Sequence, residues 1–326
     1  MMNRRRFIAI SGVAAGLGLF GANGVAVSAP EAVTWRGTTL GASASLTIHH
    51  PDRAVAERLV REVLMEVEKL EQVFSLYRVD SSLSQLNLSG ALAAPPADLV
   101  HLLDRCRDAW ELTDGAFDPT VQPLWTLLAR HFSRADADPT GPSSDQFREA
   151  LSRVGFDRVV FDPDRIVLER GMALTFNGIA QGYITDRAVE ILRRGGIISS
   201  LVNMGEIRGL GRRPDGDPWR SGIHAGRGVA GLLHPLELVD RAIATSSGDG
   251  FAFSPSAGFN HLLDPRSGDS APSEESITVT APDAAGADAF STAFSLMRHE
   301  AIRHALNRRP EINAFLLDSK GAVRTL

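Results

Sequence analysis

The chain has 326 residues, 44% of them hydrophobic, which is enough to bury one large core or two modest ones. A formal charge of −5 with only 6% aromatic residues argues against a basic stripe or a stacking platform for nucleic acid. The single cysteine, Cys106 in "LLDRCRDAWEL", cannot close an internal disulfide, and its helical spacing among Leu and Trp reads as core.

The first residues, "MMNRRRFIAISGVAAGLGLFGANGVAVSAPEA", join an arginine cluster to a short apolar run and then to small residues. That is the layout of a secretory signal. Arg4 and Arg5, followed by Phe7-Ile8, resemble the twin-arginine pair. The apolar run is short and Gly-rich against the ~20 residues a membrane span needs. The expectation is a twin-arginine signal peptide over 1–29, a mature chain from about residue 30, and work on the periplasmic side, with membrane association open.

Alternation over 38–50 predicts a strand, and Val55, Leu59, Val63, Val67 and Leu70 predict one helix face over 52–74. A short helix or turn is expected at 81–87, a helix over 96–113 ending at Asp114-Gly115, and a loop over 133–146 before a serine-capped helix. "RVVF" and "RIVLER" read as a hairpin. A helix over 182–196 ends on glycine, and a strand follows at 198–204. Short strands with Gly, Pro and Asp turns fill 207–281. Two helices (287–298 and 299–308) and two strands close the chain. The elements do not alternate as βαβ units. The fold class expected is therefore α+β, with largely antiparallel sheets packed with helices.

Several polar residues sit in awkward places. "ADAFSTAFSLM" puts Asp288 and Thr292 one turn apart on one face of an apolar helix. An N-terminal cap is the ordinary account of Asp288. The alternative is a hard cation, since Mg²⁺ takes a few oxygen ligands and leaves the rest to water and phosphate, with Ser291 near enough to add an oxygen. "LTFNGIAQGYITD" sets Gly178 and Gly182 where a strand gives way to a helix, which suits close backbone approach or a phosphate, though it matches neither a P-loop nor GxGxxG. Asp118-Pro119 reads first as a turn, as does the Ser/Gly stretch 244–251. His261 in "HLLDPRSG" is either structural or a base.

The ordered set "TTLGASASLTI", "FSLYRVDSSLSQLN", "GAFDPTVQPLW", "FNGIAQGYITDRA", "LVNMGEIRGLG", "AIATSSGDG", "HLLDPRSG" and "ADAFSTAFSLM" resembles the FAD:protein FMN transferase (ApbE-like) family over nearly the whole mature chain. It also looks similar to a branch associated with nitrous-oxide reductase maturation. The resemblance implies a single ApbE-like (T-fold-like) domain over 30–326. It also implies Mg²⁺-dependent transfer of the FMN half of FAD to a Thr or Ser hydroxyl of a periplasmic acceptor flavoprotein, with release of AMP. It implies a metal site at Asp288, Thr292 and the Gly178 carbonyl, with Ser291 as a possible contributor. His261 would be the base. FAD contacts would fall at Leu40, Tyr77, Ala116, Phe117, Asp118, Gln181 and Leu263.

The chain departs from the family pattern at Leu40-Gly41-Ala42 for Met-Gly-Thr, at Thr175 for Asp, at Gln181 for Lys, and at Gly205-Glu206 for Gly-Gly. These changes touch FAD recognition more than the metal site. An FAD pyrophosphatase and a non-catalytic flavin-binding protein are the alternatives.

Overall fold

Where the sequence reads as one strand over 38–50, the chain makes a hairpin: β1 (Ala32–Thr39) pairs antiparallel with β2 (Ala42–His49). The two linking residues, Leu40 and Gly41, have φ of 45° and 85°. Positive φ at both positions is the pattern of a type I′ turn, and Leu40 gives no sequence signal for it. The structure is a computed structural model that describes residues 32–224, 232–254 and 258–326. The signal expected over 1–29 lies outside the described residues.

Helix α1 (Arg53–Phe74) starts at Asp52, whose carboxylate accepts from the Ala54 and Val55 amides, and it buries Leu59, Val63, Val67 and Leu70 as the spacing predicts. Next come α2 (Ser82–Ser89), β3 (Ala91–Ala93) and α3 (Ala97–Leu112). Helix α4 (Gln122–Phe132) was not expected, and it precedes α5 (Ser144–Leu151). The 158–170 hairpin is β4 (Val160–Phe161) with β5 (Arg165–Val167), which β3 joins as a small sheet.

Helix α6 (Ala180–Arg194) is followed by β6 (Ser200–Asn203), β7 (Ile207–Leu210), β8 (Trp219–His224) and β9 (Leu232–Leu238). Then come β10 (Ala242–Ser247), β11 (Ala252–Ser254), β12 (Phe259–Asn260) and β13 (Ser276–Ala281). Helices α7 (Ala284–Phe294) and α8 (His299–Arg308) lead to β14 (Asn313–Leu317) and β15 (Val323–Thr325).

The main sheet runs β1-β2-β6-β7-β10-β13-β14-β15, and every neighbouring pair in it is antiparallel. The α+β reading therefore holds. Helix α7 packs on β10, β13, α6 and α3. Its face toward the sheet and its face toward the helices are both buried, from Ala284 to Ser291, with Ala293 and Phe294. A helix that is apolar all round belongs inside a core. The polar groups it carries are then costly unless they find partners. Cys106 is fully buried in the same core, where burial pushes its thiol up. A satellite cluster of Leu124, Leu128, Ala150 and Leu263 forms under α4 and α5. No helix among the described residues is long and apolar enough to cross a membrane.

Candidate active site

Asp288 does not cap its own helix. That position belongs to Asp283, whose side chain accepts from the Gly286 amide, so α7 begins three residues earlier than the sequence suggests. Asp288 lies in the second turn, 5% exposed. Its carboxylate accepts from the Gly182 amide at 3.2 Å. Gly182 is the third residue of α6, and its amide is one of the donors that a helix start leaves without an internal partner. Asp288 thus caps a different helix from the one that carries it.

The approach is possible because Gly182 has no side chain. A Cβ there would sit 2.2 Å from the Ala284 carbonyl oxygen. Gly178 plays the same part toward Thr292, where a Cβ would sit 2.9 Å from Oγ1. The turn before α6 is thereby laid directly on the second and third turns of α7. This brings Gly178 and Gly182 against Thr292 and Asp288, more than a hundred residues further along the chain.

Ser246 at the end of β10 adds a hydroxyl. Its Oγ lies 2.8 Å from Ser291 Oγ and 3.4 Å from Thr292 Oγ1. Ser291 also donates to the Asp288 carbonyl at 3.0 Å and is 1% exposed. The Ser291 hydroxyl is thus committed to bracing the Asp288 turn on β10. Ser246 is not singled out by the sequence because "ATSSGDG" reads as a turn, whereas it lies within β10 and faces α7.

Electrostatically the site is carboxylate-rich. Burial pushes Asp288 up to about 7, against the lowering effect of the Gly182 N–H, and the charge of Asp186 adds to the rise. Glu206 is held well above the ordinary carboxylate range by burial and by Asp288. Such a group favours an added cation. Among the described residues no three His, Cys, Asp or Glu side chains gather as a metal cluster. A cation here would use one carboxylate with hydroxyl and carbonyl oxygens, the donor set of a hard ion that keeps water or phosphate ligands. The residues fit Mg²⁺.

The candidate flavin contacts surround this turn unevenly. Gln181 lies over the bare Cα of Gly205. The hairpin tip reaches the same place, with Thr39 Oγ1 against Met204 Sδ at 3.7 Å and the Leu40 amide donating to Glu71 at 2.6 Å. Phe74 meets Phe176 and Tyr183 edge-on, which sets the α1 end beside the turn and leaves Tyr77 69% exposed just beyond it. Ala116 and Phe117 are buried in the main core. The Thr175 amide donates to the Pro119 carbonyl at 2.8 Å and ties that loop to the Gly178 turn.

The Asp118 carboxylate is committed locally. It accepts from the Thr120 amide and hydroxyl and from the Phe156 amide, and burial raises it. The turn reading of Asp-Pro therefore describes its side chain. Leu263 stands apart, in the satellite cluster against α4.

His261 is reached through the loop after β10. Its ring lies against Gly250, four residues beyond Ser246. Nδ1 lies 3.0 Å from the Phe251 carbonyl oxygen. A carbonyl only accepts, so Nδ1 carries the hydrogen. In the neutral ring the acceptor is then Nε2, the state a general base needs.

Comparison with known proteins meets this geometry. The profile described as the ApbE family matches residues 40–316, a stretch that contains every site residue named above. A protein of Treponema pallidum (strain Nichols) named FAD:protein FMN transferase is 29% identical over 290 residues, 81% of this chain and 78% of its own. The apo flavinyl transferase ApbE of Pseudomonas stutzeri is similar in structure, with a TM-score of 0.76 at 27% identity over 92% of this chain and 97% of its own. The ApbE protein of Thermotoga maritima gives 0.77 at 27% identity over 90% and 97%. The family profile spans most of the chain, and the chain belongs to the ApbE family.

Proposed function

We propose that this chain is an FAD:protein FMN transferase that moves the FMN half of FAD onto a Thr or Ser hydroxyl of an acceptor protein, with Mg²⁺ as cofactor and AMP as leaving group. The observation that carries the reading is the meeting of Asp288, Thr292 and Gly178 on one face. The names of the family relatives support it.

Asp288, Thr292 and the Gly178 carbonyl would hold Mg²⁺, and Ser291 keeps the Asp288 turn in place. When bound, Mg²⁺ supplies neutralising charge to the FAD diphosphate. His261 Nε2 takes the proton of the acceptor hydroxyl as its oxygen attacks the FMN phosphorus. The bond from that phosphorus to the bridging oxygen breaks, and the oxygen leaves on AMP. General-base help of this kind is worth about 10²–10⁴-fold. Leu40, Tyr77, Ala116, Phe117, Gln181 and Leu263 are proposed to line the flavin nucleotide. Asp118 is proposed to act there by shaping its loop.

We further propose a single domain over 30–326, exported by a twin-arginine signal over 1–29, with an acceptor flavoprotein that is periplasmic or membrane-anchored.

The test is direct. Mature protein, FAD, Mg²⁺ and a periplasmic flavoprotein domain bearing a candidate Thr are incubated, and the acceptor is examined by in-gel fluorescence and intact mass. A gain of one FMN, lost in EDTA and in Asp288→Ala, is expected. Free FMN and AMP with no labelled acceptor would instead indicate a pyrophosphatase. Recovery of unchanged bound FAD would indicate a binding protein.

A further inference from the structure

The contact between α6 and α7 is reciprocal. Asp288 of α7 caps the start of α6 through the Gly182 amide. One turn along α6, the Asp186 carboxylate accepts from the Ala284 amide at 2.8 Å and the Ala285 amide at 2.9 Å, the first two residues of α7. Each helix start is closed by a carboxylate of the other. Gly182 and Asp186 are four apart, so they share a face of α6.

Asp186 in turn is ion-paired with Arg208 of β7, whose side chain is 13% exposed. The Arg208 Nε is buried without a hydrogen-bond partner. A fork that leaves one buried donor unsatisfied is a costly way to hold a carboxylate. It makes sense where the charge and position of that carboxylate matter more than the donor. Burial raises Asp186, and Arg208 opposes the rise.

We propose that Asp186, held by Arg208, is a positioning residue for the metal site: it fixes the depth of α7 against α6 and so sets where the Asp288 carboxylate stands. This rests on the metal reading of Asp288 given above. Asp186 touches no reacting atom in this scheme. It acts by two N–H bonds that lock the first turn of α7, one turn before Asp288. Asp283 closes the remaining amide, and its own partner is Arg105 at 2.5 Å. The Asp186 bonds are therefore the ones that couple the start of α7 to the helix carrying Gly178 and Gly182 at its entrance.

The experiment measures Mn²⁺ binding to the mature, FAD-free protein by the electron paramagnetic resonance of free Mn²⁺, with far-UV circular dichroism as the check on folding. Wild type, Asp186→Asn, Asp186→Asn with Arg208→Met, and Asp288→Ala are compared. Asp186→Asn is expected to fold and to bind Mn²⁺ about 10- to 100-fold more weakly, the usual cost of removing a group that orients a ligand. The double variant restores charge balance but not the two N–H bonds, so it is expected to stay weak. Should Asp186→Asn fail to fold, Asp186→Glu keeps the charge and misplaces it by one methylene, with the same expected loss.

Affinity within about twofold of wild type in a folded Asp186→Asn or Asp186→Glu protein overturns the positioning role and leaves the metal reading standing, the expected loss being tenfold or more. Recovery in the double variant also overturns it, by showing that only net charge mattered. Wild-type affinity in Asp288→Ala, or no Mn²⁺ binding by wild type, overturns the metal reading and the positioning role with it.

Discussion

The Gly182 amide and the Asp288 carboxylate, 106 positions apart, are hydrogen-bonded at 3.2 Å, and this bond joins the start of α6 to the second turn of α7. It explains why an acid stands in the middle of an apolar helix. The carboxylate satisfies a donor that α6 cannot satisfy itself, because Ile179 at its N-cap offers no side-chain bond. A carboxylate that serves as a cap is also fixed in direction, which a cation ligand requires.

Gly182→Ala tests the closeness of the two helices. Alanine would gain about 1 kcal/mol of helix propensity. Against that, the new Cβ would meet backbone atoms of Ala284 and Ala285 at 2.2 to 2.7 Å, and backbone cannot swing aside. Overpacking of this kind costs about 1–3 kcal/mol, so the clash wins. The expected result is a lower urea midpoint with unchanged m-value and weaker Mg²⁺ dependence. An unchanged midpoint would show that α6 and α7 are free to separate.

Asp288 sets a pH dependence. Its pKa rises on folding from near 3.9 to about 7, chiefly through burial. Between those values the folded, metal-free protein holds more protons than the unfolded chain. Stability therefore falls as pH rises through that window. Asp288→Asn removes the part of the fall that Asp288 causes, so its stability relative to wild type should improve from pH 5 to pH 8 in EDTA. Burial and the charge of Asp288 raise Glu206 as well, so it acts in the same direction. In wild type, Mg²⁺ affinity should strengthen up to about pH 7, because binding must displace the proton. Urea titrations at the two pH values check the first claim. Parallel curves for both proteins would refute it.

The long periodic helices were legible in the sequence because each buries one stripe. Leu59, Val63, Val67 and Leu70 are fully or nearly fully covered. The spacing of Asp288 and Thr292 was legible for the same reason. Helix α4 was hidden behind the Asp118-Pro119 turn, although Pro123 near its start is a helix-opening signal. The start of α7 lies three residues before the apolar spacing suggests because Asp283, and not Asp288, caps it. Asp186, Arg208 and Ser246 matter through partners on other elements, and a helix period or a strand alternation carries no information about which carboxylate meets which amide across the sheet.

His261→Ala should slow transfer by about 10²–10⁴-fold while FAD affinity changes little. The Nδ1 bond to Phe251 fixes the tautomer, so His261→Gln, which keeps a polar group but no base, should not restore the rate. Single-turnover rates and FAD titrations separate the two effects. A loss confined to affinity would make His261 a binding residue.

Export is tested at Arg4 and Arg5. Replacing both with Lys keeps the charge and removes the twin-arginine pair. The protein should then stay in the cytoplasm, as read by fractionation. Continued export of the double variant would rule out the twin-arginine route.

Thr292 and Ser246 distinguish a ligand from a link. Both hydroxyls belong to one chain with Ser291, and losing a hydrogen bond of this kind costs about 1 kcal/mol of stability. Ser246→Ala removes both of these bonds and Thr292→Val only the longer, so the unfolding midpoint should fall more in Ser246→Ala. Their effects on metal binding should differ. Thr292→Val removes an oxygen that faces Gly178 beside Asp288, and Mn²⁺ affinity should fall by at least about tenfold. Ser246→Ala leaves Ser291 donating to the Asp288 carbonyl, so the Asp288 turn stays braced and affinity should change by less. Equal losses in the two variants would mean that Thr292 acts only by holding α7 on β10, and the metal would then rest on Asp288 and backbone oxygen alone.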